Sequence, residues 1–564
     1  MRTEVSEAEL LIIGGGTAGC FAALTASRLA AGRVLVVEKA NIQRSGCLAA
    51  GVNAINACLA PGHQPGEYAE YARRDAEGIA RLDLLQSMAV RLNAMVGELE
   101  QLGMVVQREA DGSPSYRGWR NLRINGENLK PLLAQAASSA PGVEIVNRVN
   151  VNRLLVVEGR VVGAVGFSTR EALCRVFLAP AVICATGGAA GLYRPNLAGN
   201  GRHALWYPPF NTGGGLAMGM LAGAEMTSLE MRFVALRCRD TLAPTGTLSQ
   251  GAGARQVNAR GEDYEERYSR TTQGRVWGTR QENRVGHGPC RLLVDQPTPA
   301  LVAGLCRSYL NMAPTQVLKW AEMGDLTHPG DQPFGVELIE SEPYVMGGHT
   351  GGGFWLDASR ATTLPGLFAA GDVGGGCPQK YVSGAMAEGE IAAQAALAYV
   401  AGQSPQPYSG DWRREVAAVV QEAETTLARP KSTPYGVDDL SDALWEVMDR
   451  QAGGRGADYR YSCSSLALAQ TRLQELREMA VGLSAQTPRD LLRVQELGDR
   501  LVVATALVAH LAARRETRWP GFGEYSDYPE ASDLWQCFVN SRWKDGCPQI
   551  ILRNLAGSLV RYVG

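Results

Sequence analysis

Twelve cysteines are present, but none stands in a CxxC pair and no run follows a ferredoxin spacing. No iron–sulfur cluster is therefore expected in this chain, and no other metal site is predicted. The chain is also too long for a disulfide scaffold and shows no export signal. Long apolar runs are missing as well. The stretch LVVATALVAHLAA (501–513) is too short to span a bilayer. The opening MRTEVSEAELLII has no basic region leading into an apolar stretch and a cleavage site. A cytoplasmic protein without membrane insertion is the expectation. Charge of one sign is not in excess either, since 55 Lys and Arg face 57 Asp and Glu. That balance argues against nucleic-acid binding, which needs a basic surface, and leaves room for a local basic site for a small anion.

Glycine, by contrast, is abundant, at 66 of 564 residues. It clusters in GGGTAG, ATGGAAG, NTGGG, MGGHTGGG and AAGDVGGG, beside apolar runs. A single cluster would be a turn. Repeated clusters at strand ends point to loops that approach a large ligand closely, because glycine lets the backbone come near.

The apolar pattern predicts an α/β fold. ELLIIGGG reads as a buried strand ending in a glycine turn, TAGCFAALTASRLAA as a helix and VLVVE as a second strand, a βαβ unit. Residues 84–103 and 129–139 have helical spacing, 143–167 reads as a strand meander and LAPAVICATGG as another buried strand. The character changes after about residue 226 and returns to the nucleotide-fold pattern at GLFAAGDVGGG. We therefore expect a discontinuous dinucleotide-binding domain (1–231 and 345–410), an inserted α+β capping domain (232–344), a helical domain (411–515) and a tail (516–564).

Gly14-x-Gly16-x-x-Gly19 lies between strand and helix, and Glu38 ends the next strand about 20 residues on, the spacing of a Rossmann-like fingerprint. The glycines admit a pyrophosphate to the helix N-terminus, and the acid can bind ribose hydroxyls. This suits FAD or NAD. Two further strand-end motifs, Ala185-Thr186-Gly187-Gly188 and Gly371-Asp372, select FAD by their resemblance to two-motif (GR2-type) flavoproteins. The segment from Ser383 to Gly389 opens a helix whose positive end suits flavin N1–O2. The residues expected to hold FAD are Gly14, Gly16, Thr17, Ala18, Gly19, Glu38, Lys39, Ser45, Gly46, Ala185, Thr186, Gly187, Asn211, Gly371, Asp372, Ser383 and Glu388.

With GGGTAG, VEKA, RSGCLAAG, ATGG, NTGGGLAMGMLAGAE, GLFAAGD and AEGEIAA, the chain resembles the fumarate reductase/succinate dehydrogenase flavoprotein superfamily. RSGCLAAGVNAIN, INGENLKPLLAQAA, LYRPNLAGNGRHALWYPPFNTGGG, EPYVMGGHTGGGFW, QKYVSGAMAEG and the tail narrow the resemblance to adenylylsulfate reductase alpha subunits. The loop Arg44-Ser45-Gly46-Cys47 has no flavin-attaching histidine, so the resemblance implies noncovalent FAD. It also implies Asn56, Trp206, Arg232 and His349 as catalytic residues around a small anionic substrate, with chemistry between flavin N5 and sulfur. Arg237, Arg239 and Lys380 are weaker candidates. A family arginine lacks a clear counterpart in the short insertion, with Arg280 and Arg284 as substitutes. A ferredoxin-like iron–sulfur beta subunit is the implied partner. The tail aromatics Trp519, Tyr525, Tyr528, Trp535, Phe538 and Trp543 either face that partner or pack on the helical domain. The alternative is fumarate reductase-type chemistry on a carboxylate or amine. The absence of an arginine in QKYVSGAMAEG, where dicarboxylate enzymes carry a proton donor, weighs against it.

Overall fold

The computed structural model describes residues 1–196, 201–239, 241–242, 246–323, 334–403 and 412–563. The expected boundary at 410/411 lies outside them, as do residues 197–200 of the LYRPNLAGNGRH stretch. Runs such as Leu10–Ile13 and Val34–Glu38 have no polar alternation, which suits strands covered on both faces and paired in parallel. They form a five-stranded parallel sheet in the order Leu367–Ala369, Ala181–Cys184, Leu10–Ile13, Val34–Glu38, Val143–Asn147. A strand from the far side of the insertion thus completes a sheet whose other members all precede it. Helix Thr17–Arg28 follows the first glycine turn and packs on helix Tyr381–Ala401. Gly389 permits the close crossing, since a Cβ there would stand 2.4 Å from the Ala18 carbonyl oxygen.

The meander expected over 143–167 is divided. Val143–Asn147 edges the parallel sheet, Arg148 turns the chain in a left-handed conformation (φ 63°), and Val149–Val157 begins a hairpin with Arg160–Ser168. That hairpin belongs to a second, four-stranded sheet completed by Leu173–Leu178 and Arg2–Glu7. The strand Arg2–Glu7 escaped the sequence reading because its partner lies far along the chain. The predicted helix 84–103 is two helices, Leu82–Ala89 and Leu92–Gln101.

Between residues 236 and 340 an antiparallel sheet runs Leu236–Cys238, Phe334–Glu340, Arg291–Val294, Arg255–Val257. It has its own core, including Leu248, Tyr264, Leu292, Tyr309 and Trp320. Four helices follow: Trp412–Ala428, Val437–Gln451, Cys463–Val481 and Pro488–Ala513. The last starts with a Thr487 cap accepting from the Asp490 N–H, and proline at its first position. Among the described residues no helix is long and apolar enough to cross a membrane.

The tail is not a free appendage. Strands Cys537–Lys544, Cys547–Asn554 and Leu559–Val563 join Met226–Thr227 and Gly353–Phe354 in one sheet. Trp519, Tyr525 and Phe538 are buried in the main core, which corrects the idea that they face a partner; Tyr528, Trp535 and Trp543 are only part-buried. A buried chain of charges, Glu230–Arg514–Glu516–Arg518 with His510, ties the tail to the last helix. Each charge has an opposite partner, as burial requires.

Candidate active site

The strand ends of the parallel sheet open into a cavity of about 920 Å³, large enough for a dinucleotide and a small substrate. At its floor the first glycine turn has an enforced shape. Gly14 is left-handed (φ +103°) and a Cβ would lie 2.5 Å from the Ala185 carbonyl oxygen; at Gly19 a Cβ would lie 1.9 Å from the Gly14 oxygen. Gly16 caps helix Thr17–Arg28 with no side-chain hydrogen bond, and no acid occupies the first turn. Its N–H groups are thus left for a phosphate. Glu38 is held at the end of its strand by the N–H groups of Gly15 and Ala40, each 2.8 Å away.

Of the residues expected to hold FAD, those that line the cavity are Gly14, Gly16, Thr17, Ala18, Glu38, Lys39, Ser45, Gly46, Ala185, Thr186, Gly187, Asn211, Gly371 and Asp372. The buried Ser45 hydroxyl oxygen has no hydrogen-bond partner within the protein, which fits a ligand atom beside it. Gly187 (φ +77°) makes room for Asn211 and Tyr207. Tyr207 then donates to Asp372 at 2.8 Å, fixing that carboxylate at the cavity wall. These features fit FAD.

Three of the expected residues stand behind the wall. Gly19 serves helix packing. The Ser383 hydroxyl donates to the Asn56 carbonyl at 2.6 Å. Glu388 accepts from the Gly371 N–H at 2.9 Å and pairs with Lys380 at 3.0 Å. They shape the turn without lining the cavity. The helix they belong to starts at Tyr381, and its first turn presents Tyr381, Val382 and Ala385 instead.

Asn56, Trp206 and His349 line the same cavity. The Asn56 amide donates to Tyr68 and, at 3.2 Å, to the Gln379 carbonyl. His349 meets Trp206 edge-on at 5.3 Å and lies 4.5 Å from Phe233 and 4.6 Å from Tyr381. Its Nδ1 is buried without a partner. Loss of water pushes the imidazole down to about 4, against an upward pull from Asp372. It is therefore neutral near pH 7 and free to exchange a proton.

Arg232 is the exception and is corrected here. It does not line the cavity. Its guanidinium reaches the Tyr193 hydroxyl and the Ala452 carbonyl at 2.7 Å, the Gly453 carbonyl at 2.9 Å and the Phe522 carbonyl at 3.1 Å. It ties the helical segment and the tail to the core. The weaker candidates are committed elsewhere too. Arg237 donates to the Thr241 carbonyl, Arg239 pairs with Glu337, and Lys380 holds the Gly371 and Gly374 carbonyls. Arg280 and Arg284 bind Glu524 near the tail. The arginines that do line the cavity are Arg44, Arg117, Arg120 and Arg275, the last three unforeseen. Arg117 and Arg120 flank Trp119 in SYRGWRNL, a pairing that offered a signal without a direction. Among the described residues, Glu262, Glu282 and His287 gather possible metal ligands, but Asn258, Tyr268 and Arg267 already engage those carboxylates.

Asp499 stands behind Thr212 of the cavity wall. Burial pushes its carboxyl up to about 7, opposed by Lys39. The unfolded chain releases that proton near about pH 4. The stabilisation is full below that pH and is lost as pH rises through about 7. Asp499→Asn is expected to stabilise the protein at pH 8 by on the order of 1 kcal/mol, after discounting for partial exposure, and to flatten the profile between about pH 4 and 7. Melting scans across pH check this.

Comparisons with known proteins agree with the geometry. Residues 9–387 match the FAD binding domain family. The chain is 30% identical to the alpha chain of adenylylsulfate reductase from Megalodesulfovibrio gigas, covering 95% of this chain and 93% of that one. It is 24% identical to the fumarate reductase flavoprotein subunit of Mycobacterium tuberculosis, over 93% of this chain and 92% of that one. Among solved structures, adenylylsulfate reductase from Archaeoglobus fulgidus superposes with a TM-score of 0.90 at 32% identity, covering 98% and 96% of the two chains. An adenosine-5-phosphosulfate reductase in complex with sulfite, as a covalent adduct, superposes with the same score, identity and coverage. The strand-end glycines, the Glu38 anchor and these likenesses converge: this chain is an FAD-dependent oxidoreductase of the FAD binding domain family and belongs with the adenylylsulfate reductase alpha subunits.

Proposed function

We propose that this chain is the catalytic alpha subunit of a cytoplasmic adenylylsulfate reductase-like complex. Its substrate is adenylylsulfate, sulfite or a related sulfur-containing anion. Electrons pass between noncovalently bound FAD and a ferredoxin-like iron–sulfur beta subunit. When bound, FAD supplies two-electron chemistry and an N5 that reacts with sulfur. Asn56, Trp206 and His349 form the substrate face. Asn56 is held by Tyr68 and Gln379, Trp206 walls off water, and the neutral His349 moves a proton or donates to an oxyanion.

The observation that carries this reading is the charge layout of the cavity. Its lining acids are Glu38 and Asp372, both at expected FAD positions, while Arg117, Arg120 and Arg275 line it without a lining acid beside them. Such a wall attracts an anion.

Anaerobic titration of the FAD-loaded chain with sulfite, with and without AMP, tests the proposal. Sulfite is expected to bleach the flavin absorbance, and AMP to shift that titration at least severalfold. No bleaching of fully flavinated protein would defeat the sulfur reading. Reoxidation of reduced protein by fumarate would then point to the carboxylate alternative, for which the same arginines would bind the substrate.

A further inference from the structure

We propose that Arg120, with Arg117 and the Tyr381 hydroxyl, forms a second oxyanion subsite, so that the substrate carries an anionic group besides the one that reacts at the flavin. This inference rests on the reading of the cavity as the substrate pocket, and it names the kind of molecule that fills it.

Arg120 is held by aromatic and neutral groups. Its guanidinium carbon lies 3.9 Å from the centre of the Tyr71 ring, and Nη2 donates to the Tyr71 hydroxyl at 2.7 Å. No carboxylate forms an ion pair with it among the described residues. Arg117 donates from Nη1 to the Asn53 side-chain oxygen at 3.1 Å. The two side chains leave one short segment, 117–120, and line the same cavity. A part-buried guanidinium seated on a ring keeps its charge and presents the rest of its donor fork to a ligand.

Tyr381 links this patch to the reactive end. Its ring stands edge-on to His349. Burial raises its hydroxyl to about 12, and the Arg120 and Arg117 charges pull against that rise, which sets the three groups in mutual range. Its backbone is unusual: Gln379 (φ +61°) and Tyr381 (φ +51°) are both left-handed without being glycine. The surroundings hold them there. Lys380 bonds to the Gly371 and Gly374 carbonyls and pairs with Glu388, and Gln379 donates to Asp75 at 2.6 Å. Strain kept in place by so many contacts belongs to a site that needs one side chain aimed into a cavity. Here that side chain is a hydroxyl donor between a neutral imidazole and two guanidinium groups. Three donors of this type suit a phosphate, sulfonate or carboxylate.

The oxyanion can come from a nucleotide phosphate or from the second acid group of a small substrate, and the test separates them. Calorimetric titrations of FAD-loaded protein would use AMP, adenosine, sulfoacetate and succinate. Wild type is expected to bind AMP or one of the two diacids, and adenosine more weakly than AMP. Arg120→Gln is expected to weaken the bound oxyanion about tenfold, a loss of about 1.4 kcal/mol. It should leave FAD content unchanged. Tyr71→Phe, which removes only the hydroxyl that orients Arg120, is expected to weaken it about threefold and serves if Arg120→Gln folds poorly. Tight AMP binding assigns the subsite to a nucleotide; tight diacid binding without AMP assigns it to a small substrate. The proposal is overturned if wild type binds none of these probes, or if both variants keep wild-type affinity. Sulfite bleaching of the same samples is scored separately. Bleaching with Arg120-independent binding defeats the subsite and keeps the sulfur chemistry. Arg120-dependent binding without bleaching does the reverse.

Discussion

Gly19→Val is expected to yield protein without FAD. A Cβ at this position would stand 1.9 Å from the Gly14 carbonyl oxygen and 3.4 Å from the Ile12 side chain. The first atom is backbone, so no rotamer change relieves the clash. Either the helix Thr17–Arg28 retreats from the strand Leu10–Ile13, or the turn at Gly14 opens. Neither is free to occur. Gly14 is left-handed and bounded by Ala185, and the helix is pinned on its other side by Tyr381–Ala401 through Gly389. Overpacking of a buried contact costs about 1–3 kcal/mol, and a clash with fixed backbone lies at or above the top of that range. The larger effect is on binding. Moving the helix N-terminus displaces the N–H groups that await a pyrophosphate. Flavin content of the purified variant, read from its absorbance, checks the outcome. Retention of FAD at wild-type stoichiometry would show that the turn does not hold the cofactor as described.

His349→Ala is expected to lower turnover by about 10²–10⁴-fold while FAD stays bound. The imidazole lies among Trp206, Phe233 and Tyr381, and its unpartnered Nδ1 is the sign of a group that meets a ligand. Burial holds it near 4, so it is neutral through the working range. As a proton acceptor it would lose activity as pH falls toward that value; the alanine variant should lack that acid limb. An anion at the site raises the value and shifts the limb upward. Rapid-mixing measurement of flavin reduction by sulfite plus AMP, across pH, reads both effects. A variant with an unchanged rate and an unchanged acid limb would remove His349 from the chemistry.

Arg232 and Arg120 show where the sequence stops informing. Both are arginines beside aromatic residues in polar surroundings. Arg232 occurs in the family-like EMRF stretch and drew the expectation of a catalytic role. Carbonyls at positions 452, 453 and 522 capture it. Those acceptors stand more than 200 positions away in the chain, and nothing in the local sequence announces them. Arg120, without such acceptors, keeps a face on the cavity.

The same division runs through the cofactor site. The turn Gly14-x-Gly16-x-x-Gly19, the Glu38 anchor and the strand ends at Ala185 and Gly371 were legible because each is a local device. A strand, a glycine turn and a helix fit within one short segment, and steric need fixes the residue type. Ser383 and Glu388 were right in motif and wrong in facing, because the helix begins at Tyr381 and its phase turns them behind the wall. The tail aromatics left two possibilities open until a sheet formed with Met226–Thr227. Sequence alone therefore determined the fold class, the cofactor and the kinship of this chain, since short-range sterics and apolar periodicity carry them. Tertiary structure alone decided which charged side chains reach the substrate, because a buried guanidinium goes to whichever acceptors the distant chain delivers.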